Sequence, residues 1–145
     1  MTEAEARAAI VREARSWVGT PFRHAARLRG AGADCGGLLL GVYSAVGLLP
    51  EGLEVPIYSP EFMKHRGDEW LLDLVEKYAH RVDRAPLPGD IVLYRFGRCV
   101  SHSAIVTAWP EVIHAWGTAV VPDDERNPAL AERRVGVWSL WPCPA

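Results

Sequence analysis

Three residues in this chain can together carry out nucleophilic chemistry: Cys35 at the start of a predicted helix, and His102 and His114 on predicted strands. Asp34-Cys35-Gly36-Gly37 opens an apolar run at helical spacing, Leu38, Leu39, Val42 and Val46. Asp34 is a good N-cap residue and sets Cys35 at the first helical position. Free backbone N–H groups and the helix dipole favour an anion there, so the sequence predicts a thiol with a lowered pKa. Each glycine costs about 1 kcal/mol relative to alanine in a helix interior. Using two of them predicts close approach of another group, such as a bulky substrate. A lone cysteine at a helix start is as readily a buried structural residue, so the distinction rests on a base elsewhere in the chain.

His102 and His114 are the candidates, as base and as the group that orients the base. Each sits in a short strand pattern, one strand-turn-strand apart, so antiparallel pairing would bring them together facing the central helix. Ser101, Ser103 and Ala104 are small and leave room beside His102. Cys99, His102 and His114 also have partial zinc-ligand spacing. No second ligand pair accompanies them, so no metal and no cofactor is assigned. The loop before Cys35 contains Arg23, His24, Arg27 and Arg29 and is a candidate lip for an anionic substrate group. Phe22, Asp34, Gly36 and Ser103 complete the candidate substrate contacts.

The elements that must position these residues are legible from periodicity. Residues 2–17 form an amphipathic helix with a Thr2/Glu5 capping box and an apolar face of Ala6, Ile10, Ala14, Trp17 and Val18. The central helix spans 35–46 and ends at Gly47. Ser59-Pro60-Glu61 opens a short helix that stops at Gly67, and Asp68 caps another helix with Leu71, Leu74, Val75 and Tyr78 inward. His65 and His80 read as surface residues. After a turn at 86–90, strands follow at 91–94, 101–107, 111–116, 118–121 and 135–140, with a helical turn at Asn127-Pro128. Helices first and strands after predict one α+β domain over 1–145, with an antiparallel sheet packed on the helices.

The totals exclude several function classes. A net charge of -2 over 145 residues, with pI near 6.2, gives no argument for nucleic-acid binding. Three cysteines do not make a disulfide framework. No apolar run approaches the ~20 residues of a membrane span. The acidic start, Met1 to Glu5, is not a secretory signal, so delivery outside a cytosol would need other means.

Five motifs in order carry a family resemblance: Gly19-Thr20-Pro21-Phe22, Asp34-Cys35-Gly36-Gly37-Leu38, Leu87-Pro88-Gly89-Asp90-Ile91-Val92-Leu93-Tyr94, His102-Ser103-Ala104-Ile105-Val106 and Ile113-His114-Ala115. Together they resemble the NlpC-type papain-like cell-wall peptidases, and among these the phage-tail and gene transfer agent branch. The resemblance implies a papain-like fold with Cys35 as nucleophile, His102 as base and His114 as its orienting residue. It implies cleavage of an amide bond in peptidoglycan stem peptides, commonly that between D-glutamate and diaminopimelate. It also implies work in a phage-like tail tip, with tail hub proteins as partners, on the wall of a target cell. A weakly active structural adaptor of a tail hub is the alternative. Three positions depart from the family pattern: Gly36 where serine is usual, Phe22 where tyrosine is common, and Ser103-Ala104 where Val-Gly is usual.

Overall fold

Helix α1 (Glu3–Ser16) begins where the Thr2 hydroxyl accepts from the Glu5 N–H at 3.1 Å. Ala6, Ile10, Ala14 and Trp17 are buried as the spacing predicts, but Val18 lies past the helix end and is exposed. The computed structural model describes residues 1–65 and 67–141. After α1 come the small hairpin strands β1 (Arg27–Leu28) and β2 (Gly32–Ala33), then helix α2 (Cys35–Ala45). The hairpin sits inside what periodicity reads as loop, because strands of two residues carry no pattern. A 3-10 turn, Phe62–Lys64, stands where a short helix is expected, and α3 (Trp70–Tyr78) follows. Glu69, not Asp68, is the N-cap residue of α3, and its carboxylate accepts from the Val100 N–H instead of capping the helix. His65 and His80 are exposed as expected.

The remaining strands are β3 (His80–Val82), β4 (Ile91–Phe96), β5 (Cys99–Ala108), β6 (Glu111–Trp116), β7 (Ala119–Asp124) and β8 (Arg134–Ser139), with α4 (Pro128–Ala131) before the last. They form a six-stranded sheet in the order β3-β8-β4-β5-β6-β7, with every neighbouring pair antiparallel. The fold is therefore α+β, helices first. β3 is missed in sequence because its three residues are polar or half-buried. β4 and β5 run further than their apolar cores predict, so Gly97-Arg98 alone turns the hairpin, with Gly97 at φ 76°.

One face of the sheet carries Ile91, Leu93, Ile105, Ile113 and Trp138 into a core shared with Leu38, Leu39, Val42 and Tyr43 of α2 and Leu71 and Val75 of α3. The other face holds Val92, Tyr94, Ala104, Val106 and Val112 under Leu130 of α4. Helix α1 closes on α2 through Trp17, whose ring fills the space where Gly41 has no side chain. Asp90, fully buried, ties α1 to the sheet: it accepts from Arg7 at 2.8 Å, Arg84 at 2.7 Å and the Leu87 N–H at 2.8 Å. Asp90→Ala strands two guanidinium groups. Because Arg84 reaches solvent, the cost is expected near the lower bound for breaking a buried pair, about 3 kcal/mol. Denaturant unfolding measures it, and an unchanged midpoint would show that the cluster is not structural.

Candidate active site

The first turn of α2 is held from three sides. Asp34 caps it, with Oδ1 accepting from the Gly37 N–H at 2.8 Å, while Oδ2 accepts from the Ala25 N–H at 2.8 Å and from the Tyr58 hydroxyl. Asp34 lines the cleft, but both its oxygens are engaged by these bonds. The first intrahelical bond is Leu38 N–H to Asp34 O, so the amides of Cys35 and Gly36 precede it, and that of Gly36 lies against the Cys35 sulfur. Against β5, the Cys35 thiol donates to the Ser101 carbonyl at 3.5 Å and the Ser103 hydroxyl donates to the Cys35 carbonyl at 3.3 Å.

The glycine pair serves packing. A Cβ on Gly36 would lie 2.5 Å from the Trp70 ring, and one on Gly37 would run into the Ala26 carbonyl. The close approach expected of a substrate is therefore made by the protein itself. Trp70 is stacked on Tyr58 with ring centroids 4.1 Å apart and packs against Phe62, so it cannot swing aside cheaply.

Alternation along β5 turns Ser101, Ser103 and Ile105 toward α2 and sends His102 to the other face, where it pairs with Tyr94. The two histidines thus do not face the central helix as expected. Cys35 and His102 nevertheless line one cleft of about 290 Å³, with Phe22, His24, Asp34, Tyr58, Phe62, Phe96, Trp116 and Gly117 among its walls. His102 Nε2 lies 2.8 Å from His114 Nδ1, and His114 Nε2 lies 3.0 Å from Asp123 Oδ2. Trp116 stacks on His114 at a 10° interplanar angle, and Phe96 meets His102 edge-on.

Burial sets the charge state. The Cys35 thiol, only 8% exposed, is pushed from 9.0 up to about 12, first by desolvation and then by the Asp34 carboxylate beside it. The Gly36 amide and Ser103 favour the thiolate, but more weakly. The expectation of a lowered thiol pKa is overturned, because the helix N-terminus is buried and shares its space with a carboxylate. Desolvation, and then the neighbouring His114, push His102 from 6.5 down to about 3. Burial also lowers His114, opposed by Asp123. Burial thus favours the neutral forms of both the Cys35 thiol and the His102 imidazole that line this cleft.

Of the residues expected to contact substrate, Phe22, His24 and Asp34 line the cleft. Arg23 lies along Gly32 and donates to the Ala31 carbonyl, Arg27 donates to Leu53 O, and Arg29 reaches Glu13 and Ser16, so the arginines brace the loop instead of lining the cleft. Ser103 is buried under Cys35, and Gly36 lies under Trp70. Cys99 is buried in the core and donates to Phe62 O at 3.5 Å, apart from the histidine pair. Cys143 lies outside the described residues. Tyr58 and Asp123 are absent from the sequence reading. Ending the fourth strand at 121 hid Asp123, which stands two residues beyond Val121, the register partner of His114.

No family model matches the chain, and no curated protein matches it. Solved structures do. A lipoprotein-like protein of the NLP/P60 family from Staphylococcus aureus aligns at TM-score 0.67 and 17% identity, over 96% of this chain and 42% of that one. The chain thus spans under half the length of that protein. The NlpC/p60 domain of the peptidoglycan hydrolase SagA aligns at 0.60 and 22%, over 92% of this chain and 97% of that domain. RipD from Mycobacterium tuberculosis, described as a non-catalytic NlpC/p60 protein adapted to peptidoglycan binding, aligns at 0.58 and 17%, over 92% of this chain and 95% of that one. The chain has the NlpC/P60 papain-like fold.

Two predictions follow from the packing and the charge state. Gly36→Ser must displace Trp70 and is expected to cost about 1–3 kcal/mol. A denaturation midpoint equal to the parent's would mean the ring yields freely. Between pH 6.5 and about 3 the unfolded chain binds a proton at His102 that the native chain refuses. Native stability therefore falls on acidification, by up to about 1.4 kcal/mol per pH unit from this group. The melting temperature of His102→Gln should drop less steeply than that of the parent from pH 6.5 to 5; parallel curves would contradict a buried neutral His102.

Proposed function

We infer that the chain is a cysteine peptidase that hydrolyses an amide bond in peptidoglycan stem peptides. The observation that carries this reading is the thiol at a helix N-terminus sharing a cleft with His102, whose Nε2 is held by His114 at 2.8 Å. That bond leaves His102 Nδ1 as the ring nitrogen that can take the thiol proton.

In the resting site the thiol hydrogen points to the Ser101 carbonyl. For reaction it rotates to His102 Nδ1 and transfers as sulfur attacks the scissile carbonyl, so thiolate forms in step with attack instead of being stored. The Cys35 amide at the helix start receives the oxyanion, a role that Phe22 cannot share. Imidazolium His102 then gives its proton to the leaving amine. Water, activated by the neutral ring, releases the acyl group and restores the thiol. The cleft walls are chiefly aromatic and apolar, so substrate specificity falls to shape and backbone contacts more than to arginine–carboxylate pairing.

The finer assignment rests on the motif resemblance: the bond between D-glutamate and diaminopimelate is cut, and the protein acts at a phage-like tail tip, bound to tail hub proteins, on a target cell's wall. A binding-only role has a precedent in the non-catalytic description of RipD. The intact Cys35, His102 and His114 set favours catalysis here.

The purified protein incubated with peptidoglycan should release new amino termini, identified by mass spectrometry of the fragments. Cys35→Ala should release none, while His114→Ala should retain a fraction, since an orienting residue is less essential than the nucleophile. Hydrolysis by Cys35→Ala, or no hydrolysis by the parent protein, would refute the reading.

A further inference from the structure

We propose that Asp123 is a positioning residue of this site, fixing the tautomer of both histidines and so keeping His102 Nδ1 free to accept the Cys35 proton. This deepens the peptidase reading and rests on it for its meaning, though not for its test.

The argument is one of hydrogen-bond direction. An ionised carboxylate only accepts. At 3.0 Å from Asp123 Oδ2, His114 Nε2 must carry the hydrogen. Neutral His114 then has its lone pair on Nδ1. At 2.8 Å from that lone pair, His102 Nε2 must in turn be the donor. Neutral His102 is left with its lone pair on Nδ1. One carboxylate thus dictates, through two rings, which nitrogen is basic in the cleft.

Without that carboxylate the row can reverse. His114 would carry hydrogen on Nδ1 and donate to His102 Nε2, leaving His102 with hydrogen on Nδ1 and unable to take a proton from the thiol. The two arrangements have the same number of hydrogen bonds between the rings, so nothing within the pair chooses between them. Asp123 supplies the choice. It also lies beyond His114 as a counter-charge when His102 becomes imidazolium.

Three other carboxylates stand on these strand ends, and each is engaged by a cation. Asp124 pairs with Arg126 at 2.6 Å, Glu125 with Arg134 at 3.1 Å, and Glu111 with Arg15 at 3.0 Å. Asp123 pairs with no arginine or lysine among the described residues; Oδ1 accepts from the Asp124 N–H at 2.7 Å and Oδ2 serves His114. The geometry behind this is simple: Asp123 lies two residues beyond Val121, the Cα partner of His114, on the same face of edge strand β7. Its side chain is 25% exposed, so a substitution there does not open the core.

The test reads tautomers directly. Imidazole 15N–1H correlation spectra of the parent at pH 7 should show His102 and His114 both as Nε2–H. In Asp123→Asn and Asp123→Ala, His102 should populate the Nδ1–H form, and iodoacetamide labelling of Cys35, followed on its own peptide by mass spectrometry, should slow at least ~10-fold. Asp123→Glu, whose carboxylate can still reach, should restore the parent tautomers and most of the labelling rate. Amide spectra of the variants should keep the parent's dispersion, which separates a positioning effect from unfolding. Unchanged tautomers in both Asn and Ala variants, or shifted tautomers with unchanged labelling of Cys35, would overturn the proposal. A tautomer shift with slowed labelling in a protein that does not hydrolyse peptidoglycan would instead sustain the role of Asp123 and refute the peptidase reading alone.

Discussion

The docking of the first turn of α2 onto β5 is the constraint on which the rest of this structure depends. The contact is made backbone to side chain in both directions, Cys35 thiol to Ser101 carbonyl and Ser103 hydroxyl to Cys35 carbonyl. Such bonds need the helix axis close to the strand, and closeness leaves no room for side chains around the turn. That is why Gly36 lies under Trp70 and Gly37 under the Ala26 carbonyl. It is also why the preceding loop folds back as a small hairpin and delivers Asp34 as the cap. The segment around Tyr58 is held to the same region through the Asp34 carboxylate, the Trp70 ring and a bond that His24 Nε2 donates to the Tyr58 carbonyl at 3.0 Å. The cleft wall is therefore a by-product of how tightly the helix start is seated.

The same tight seating decides the electrostatics. A helix N-terminus in water would lower a thiol pKa, but this one is removed from water and shares its space with a carboxylate. Desolvation penalises the charged form by more than the amides favour it. On the other side of the pair, the buried imidazole is likewise held neutral. Burial thus works against a preformed thiolate–imidazolium pair, and on the proposed reading the base must accept at the right nitrogen when the bond forms. Control passes from the helix dipole to the hydrogen-bonded row behind His102.

The sequence disclosed those features that are local or periodic. Asp34, Cys35 and the glycines read correctly as a helix start, and Gly47, at φ 82°, as its end. The α+β order and five strand positions followed from the apolar strand patterns. Features that depend on long-range contact did not. Nothing local says that Trp70 will cover Gly36, or that three arginines of one loop will be spent on bracing it. The face of His102 was misjudged, because alternation gives relative parity along a strand but not which side the helix will choose. Asp123 was out of reach for a different reason: Pro122 breaks the apolar pattern of an edge strand, where proline is tolerated, and the strand was ended one turn of the pleat too early. The aromatic walls were visible only as composition, since Tyr58 and Trp116 come from segments far from Cys35 in the chain.

Stability alone gives no reason for the polar row. His102 and His114 are buried among Tyr94, Phe96 and Trp116, in a position that apolar side chains of similar volume would fill without any pH penalty. Buried polar groups are tolerated when fully satisfied and costly when half satisfied. In this row the bonds between the rings and to Asp123 are made, and His102 Nδ1 has no hydrogen-bond partner among the described residues. A row built only to stabilise the sheet would have closed that last position or replaced both rings with leucine. The scaffold by itself does not decide the matter, since a protein of this fold described as non-catalytic aligns over 92% of the chain. On the peptidase reading proposed above, what would separate a working site from a binding surface on this backbone is the Cys35 thiol, His102 Nδ1 and the Asp123 carboxylate together, and this chain carries all three residues.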